Sequence, residues 1–107
     1  MKALIIATVA FGAFAGVAQA GVSNLDYLEA ARCRGLASSE NLGKLDTTAL
    51  DSFLKAESAS RDLAVLNSAN NKILSARKEA DAAEGDKKAK LLAKRDGACA
   101  AYLAGGK

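Results

Sequence analysis

"SNLDYLEAARCRGLA", Ser23 to Ala37, reads as one helix carrying a cysteine on its apolar side. Ser23 or Asn24 supplies an N-cap oxygen, and Asp26 and Glu29 lie near the positive end of the helix dipole. At 100° per residue, Val22, Leu25, Cys33 and Leu36 share one side, with Leu28 at its margin. Gly35 and then the polar "SSENLGK" (38–44) are expected to end the helix.

Outward from this stretch the composition stays helical. Beyond residue 20 the chain holds 18 alanines against 19 Leu, Ile, Val, Phe and Tyr together, and no proline or tryptophan. Alanine, leucine, lysine, arginine and glutamate are the strong helix formers. The fold class is therefore all-α, a small hairpin or bundle of three to four helices. A chain so rich in alanine buries seams between helices and builds no thick core.

"DTTALDSFLKAE" (46–57) predicts the second helix, capped by Asp46, Thr47 or Thr48, with Leu50, Phe53 and Leu54 on its apolar face. Asp51–Lys55 and Glu57–Arg61 are i,i+4 acid-to-base pairs in the favourable order. The apolar phase then breaks, so a bend is expected at Ser58–Ser60, with Ser60 able to start the next segment. From there Leu63, Leu66, Asn70, Ile73, Arg77 and Ala80 follow 3-4-3-4-3 spacing. Either this is a short coiled-coil-like seam with Asn70 fixing register, or an ordinary packed helix with Asn70 and Arg77 at a wet edge. "NSANN" (67–71) is weak enough in propensity to interrupt it as a loop, which separates the three-helix from the four-helix count. Gly85 before Asp86 ends that helix and begins the last, "DKKAKLLAKRDGACAAYL" (86–103). This puts Leu91, Leu92, Cys99, Tyr102 and Leu103 on one side and Lys87, Lys90 and Lys94 on the other.

Cys33 and Cys99 are the only cysteines, and each falls within an apolar arc. A disulfide between them clamps the first helix against the last. The alternatives are an intermolecular bridge or reactive thiols, although redox pairs usually occur as C-x-x-C. Compartment bears on the choice. "MKALIIATVAFGAFAGVAQA" (1–20) has a basic Lys2, an apolar run over Ala3–Val17 and the small-x-small Ala18-Gln19-Ala20. That is the pattern of a secretory leader cleaved after Ala20, in contrast to an uncleaved anchor. The expected organisation is a leader over 1–20 and a single helical domain over 21–107, exported to the periplasm or medium, where paired thiols oxidise.

The residue inventory excludes much chemistry. Without histidine there is no His-based triad and no imidazole ligation. No glycine-rich phosphate loop or H-E-x-x-H occurs, and "DAAEGD" (81–86) lacks the oxygen spacing of a calcium loop. No catalytic, cofactor-binding or metal-binding residue is expected, and the protein reads as a non-enzyme without a cofactor. Residues 72–95 carry eight bases and four acids, whereas 21–71 carry five bases and seven acids. Lys87, Lys90 and Lys94 read first as a solvated helix face, with weak contact to an anionic envelope surface as their other use. Aromatics for stacking are missing from the basic segment, which argues against nucleic acid. Lys107 is read as an ordinary polar end, with covalent attachment to peptidoglycan as the other use of a terminal lysine.

In general plan (leader, fewer than 90 remaining residues, helices, one disulfide) the chain is similar to small acid-stress periplasmic chaperones. That resemblance implies a holdase that loosens in acid and exposes leucine and phenylalanine faces. The residues themselves lead to an exported interaction protein or envelope accessory subunit, a monomer or small homo-oligomer with a protein partner. An exported inhibitor or effector directed at one protein target is the third expectation.

Overall fold

The computed structural model describes residues 22–106; the leader, the cleavage position after Ala20 and Lys107 lie outside the described residues. Five helices follow one another: α1 (Asn24–Ala37), α2 (Thr48–Ser58), α3 (Leu63–Ala82), α4 (Gly85–Asp96) and the single turn α5 (Ala100–Leu103). No strand occurs among the described residues.

Local signals start and stop most of these elements. Ser23 Oγ accepts the Asp26 N–H at 3.0 Å and opens α1. Asp46 Oδ1 accepts the Thr48 N–H at 2.9 Å and opens α2. The break at Ser58–Ser60 is present: the Ser58 and Ser60 hydroxyls donate to the Lys55 and Glu57 carbonyls, occupying acceptors the helix end leaves over. Asp62, and not Ser60, starts α3, its carboxylate accepting the Val65 N–H at 3.1 Å. α3 runs unbroken through "NSANN". Of the expected i,i+4 pairs, Glu57–Arg61 forms at 2.8 Å. Asp51 turns instead to Arg34 of α1, at 2.6 Å.

The last segment departs from expectation. The helix over 86–103 is split at Gly97, where the Cys99 N–H reaches back five residues to the Lys94 carbonyl at 3.0 Å. This wide turn re-aims the chain end, and Cys99 meets Cys33 with Cα atoms 5.5 Å apart and Sγ–Sγ 2.04 Å. Both cysteines are fully buried.

α1 is the central element, packed against α2, α3, α4 and α5. Contacts advance together along α1 and α3: Arg61 stacks over Tyr27, Ala76 abuts Gly35, and Asn41 bonds the Ala83 carbonyl. The two helices therefore run parallel, with α2 as the return. Gly35 does not end α1; it lies inside it at the crossing. A Cβ there would meet the Ile73 carbonyl oxygen at 2.4 Å and the Ala76 Cβ at 2.7 Å.

That close approach rotates α3 away from the expected seam. Its buried residues are Ala69, Ala76 and Ala80, flanked by part-buried Val65, Leu66 and Ile73. Leu63 is 71% exposed, and Asn70 and Arg77 face solvent, as the ordinary packed-helix alternative requires. α1 shows the same selection. Cys33 and Leu36 are buried as expected, but Leu25 is 79% exposed, and the contact is made by Tyr27, Ala30, Ala31, Gly35 and Ala37. On α2 and the last segment the expected faces hold: Leu50, Leu91, Cys99 and Tyr102 are buried, with Phe53, Leu54, Leu92 and Leu103 against them.

The connection 38–47 is polar, as its composition predicts, but it is tied down. Asn41 Nδ2 donates to the Ala80 and Ala83 carbonyls at 2.9 and 2.8 Å, closing the end of α3. Arg95, buried on α4, donates to the Leu42 and Gly43 carbonyls at 3.0 and 2.7 Å. Arg95→Ala strands these acceptors, and a loss of about 2 kcal/mol in unfolding free energy is expected, read from urea denaturation.

Candidate functional site

Cys33 and Cys99, the residues singled out from sequence, are joined to each other inside the core. No free cysteine occurs among the described residues, so the bridge is intramolecular. Among the described residues no group of His, Cys, Asp and Glu is arranged to hold a metal ion. No helix among them is long and apolar enough to cross a membrane.

The lysines of α4 do not form one free cationic face. Lys94 Nζ lies 2.7 Å from Glu29 of α1, and Lys87 Nζ lies 3.4 Å from Glu79 of α3. Arg32 of α1 shares Glu79 at 3.3 Å. Lys90 alone of the three lysines is exposed without an ion pair. These pairs lace α1, α3 and α4 to one another.

Two open regions stand out among the described residues. The larger, about 430 Å³, is walled by Ser38, Glu40, Asn41 and Lys44 of the connection and Arg77 and Asp81 of α3. Of its two carboxylates, Glu40 and Asp81, the second is already engaged. Asp81 Oδ1 accepts the Ser39 hydroxyl at 2.6 Å and the Asn41 N–H at 3.4 Å. The Ser39 hydrogen bond is the main cause holding the Asp81 carboxyl below its ordinary value. A carboxyl held low in the folded state contributes stability that is present above its ordinary pKa and lost as pH falls through the lowered one. Ser39→Ala is expected to reduce this component, so that the stability lost on acidification from neutrality is smaller than in the wild type. Urea midpoints across that pH range check it.

The second region is a trough along α1 and α3. One end, about 170 Å³, is formed by Leu25, Leu28, Glu29, Arg32 and Lys72. The other, about 250 Å³, is formed by Arg32, Ser68, Asn71, Lys72 and Ser75. Arg32 and Lys72 belong to both, so the two are continuous. Leu25, Leu28 and Arg32 project from one side of α1 because their spacing is 3 and 4.

Nothing matches. A search of protein-family models, of curated proteins and of solved structures gives no significant similarity to this chain. The geometry of the trough therefore carries the functional reading. Leu25 and Leu28 are legible as part of the apolar side of α1, with Leu25 assigned to the buried side and Leu28 to its margin, whereas nothing in the sequence singles out Arg32. Lys72 enters only through the packing of α3, and no signal in the linear sequence links it to them.

Proposed function

We propose that this chain is an exported, disulfide-clamped helical domain that binds another protein and performs no chemistry of its own. The observation that carries the reading is Leu25. A leucine 79% exposed, beside part-buried Leu28, lies on the helix that packs against all four others. A contiguous apolar patch rimmed by polar residues marks a contact site, and Leu25 and Leu28 lie together with Glu29, Arg32 and Lys72 around them. The leader-like residues 1–20 and the buried Cys33–Cys99 bridge support the periplasm or medium as the compartment.

Intact mass of the recovered protein, with and without reductant, tests export and clamping together. The expected species begins at Gly21 and gains two hydrogens on reduction. Binding is tested by placing a photo-crosslinker in turn at Leu25, Leu63 and Leu74, the most exposed large apolar positions. A discrete protein adduct at one of them supports the reading. Adducts at none of them overturn it.

A second reading, an acid-responsive holdase, is favoured by how α1 is held. Arg34–Asp51, Arg32–Glu79 and Lys94–Glu29 tie it to α2, α3 and α4, and each pair needs an ionised carboxylate. Surface pairs of this kind stabilise by only about 0–1 kcal/mol each, so several must be lost together. Light scattering of an aggregating client at about pH 3, below the ordinary carboxylate range, tests it. Absence of suppression removes this reading and leaves the first intact.

A further inference from the structure

We propose that the trough between α1 and α3 is the docking site for an acidic, leucine-bearing segment of a partner protein. The inference rests on the binding reading above and supplies its surface and the chemistry of its partner. Along the trough the character changes in order: apolar at Leu25 and Leu28, cationic at Arg32 and Lys72, uncharged and hydrogen-bonding at Ser68, Asn71 and Ser75.

Charge selects the sign of the occupant. Arg32, Lys72, Lys87 and Lys94 face two carboxylates, Glu29 and Glu79. Glu29 is engaged by Lys94, and Glu79 is divided between Arg32 and Lys87. Lys72 has no ion pair among the described residues and lies at the midpoint of the trough. A carboxylate arriving there meets two cations holding less than their complement of negative charge. An apolar side chain on the same segment covers Leu25, removing its surface from water.

Shape selects the kind of molecule. Anionic membranes also offer charge beside hydrocarbon, but a bilayer presents a broad flat surface. Here the leucines and cations line a trough between two parallel helices, which seats a rod-like segment. A helix with a leucine over Leu25 and Asp or Glu one to two turns further along, about 5–10 Å, matches the order of groups.

The test uses the oxidised protein, labelled for amide NMR, and two synthetic amphipathic peptides of about 15 residues, the length at which an isolated helix becomes marginal. Both carry leucines on one face, flanked by glutamate in one peptide and lysine in the other. The glutamate peptide is expected to bind, to shift amides over residues 25–32 and 68–75, and to weaken with added salt. Lys72→Glu and Leu25→Asp are each expected to weaken it about tenfold, the scale of one lost contact worth 1.4 kcal/mol. Both positions are exposed, and unchanged thermal melts show that the variants keep the fold. Failure of the glutamate peptide to bind, equal binding of the lysine peptide, or shifts outside the trough overturn the proposal. So does binding to phosphatidylglycerol vesicles that is lost in Lys72→Glu while neither peptide binds. Crosslinking at Leu63 or Leu74 but not at Leu25 removes the trough and leaves the binding reading standing. Crosslinking at none of the three removes that reading itself.

Discussion

Replacing Cys33 and Cys99 together by alanine is expected to lower the unfolding free energy by about 4 kcal/mol and the melting temperature by roughly 20 °C. The bridge spans 66 positions, and a loop of that size restricts the unfolded ensemble strongly. The folded side points the same way. α5 is a single turn, too short to persist alone, and is held by the bridge and by Tyr102 packing on α1 and α2. Loss of the bridge therefore acts first at the chain end. Tyr102, whose ring lies 6.2 Å from that of Phe53, is expected to lose its near-ultraviolet dichroism before the far-ultraviolet helical signal falls. Small domains have total stabilities near 5–15 kcal/mol, so the variant keeps a folded majority, by a margin of only about 1 kcal/mol at the lower end of that range. Equal melts for wild type and variant would show that neither the loop restriction nor the α5 contact limits stability.

Gly35→Ala is the second large effect, and its sign separates two physical terms. On helix propensity alone alanine is favoured over glycine by about 1 kcal/mol. Against this, the new Cβ meets a backbone oxygen, Ile73 O, at 2.4 Å, and the Ala76 Cβ at 2.7 Å. Neither can rotate away, so α1 and α3 must separate. Separation also loosens the contacts among Ala31, Ala69 and Tyr27, since dispersion falls steeply with distance. Overpacking of this kind costs about 1–3 kcal/mol, and the seam loses contacts along its length. A net destabilisation of about 2 kcal/mol is expected for Gly35→Ala, and more for Gly35→Leu, with helix content at low temperature little changed. Urea denaturation decides between the terms. A stabilised Gly35→Ala would mean that the seam yields at low cost and that propensity controls this site.

The Gly35 experiment bears on the trough as well. Its floor belongs to α1 and one wall to α3, so widening the crossing at Gly35 moves Lys72 relative to Arg32. A Gly35 variant that stays folded is expected to bind the glutamate peptide more weakly, although Gly35 does not line the trough.

What the linear chain determined was local. The helical class follows from composition, the start of α1 from Ser23, the gap after α2 from Ser58-Ala59-Ser60, and the end of α3 near Gly85 from that glycine. The pairing of Cys33 with Cys99 also followed, because each lay within an apolar arc and no third thiol competed. The tertiary structure decided which surfaces meet. Counting leucines assigns Leu25 and Leu63 to the interior, yet both are exposed, and Ala31, Ala69 and Ala76 lie inside. The cause is the distance between α1 and α3, which Gly35 makes too short for leucine to fit between them. Gly97 and Arg95 belong to the same class: a split helix that aims Cys99, and a buried cation that holds a loop. Each answers to a partner more than 50 residues away in sequence. The trough is the space left open by that alanine seam, and a pattern read along one helix at a time does not contain it.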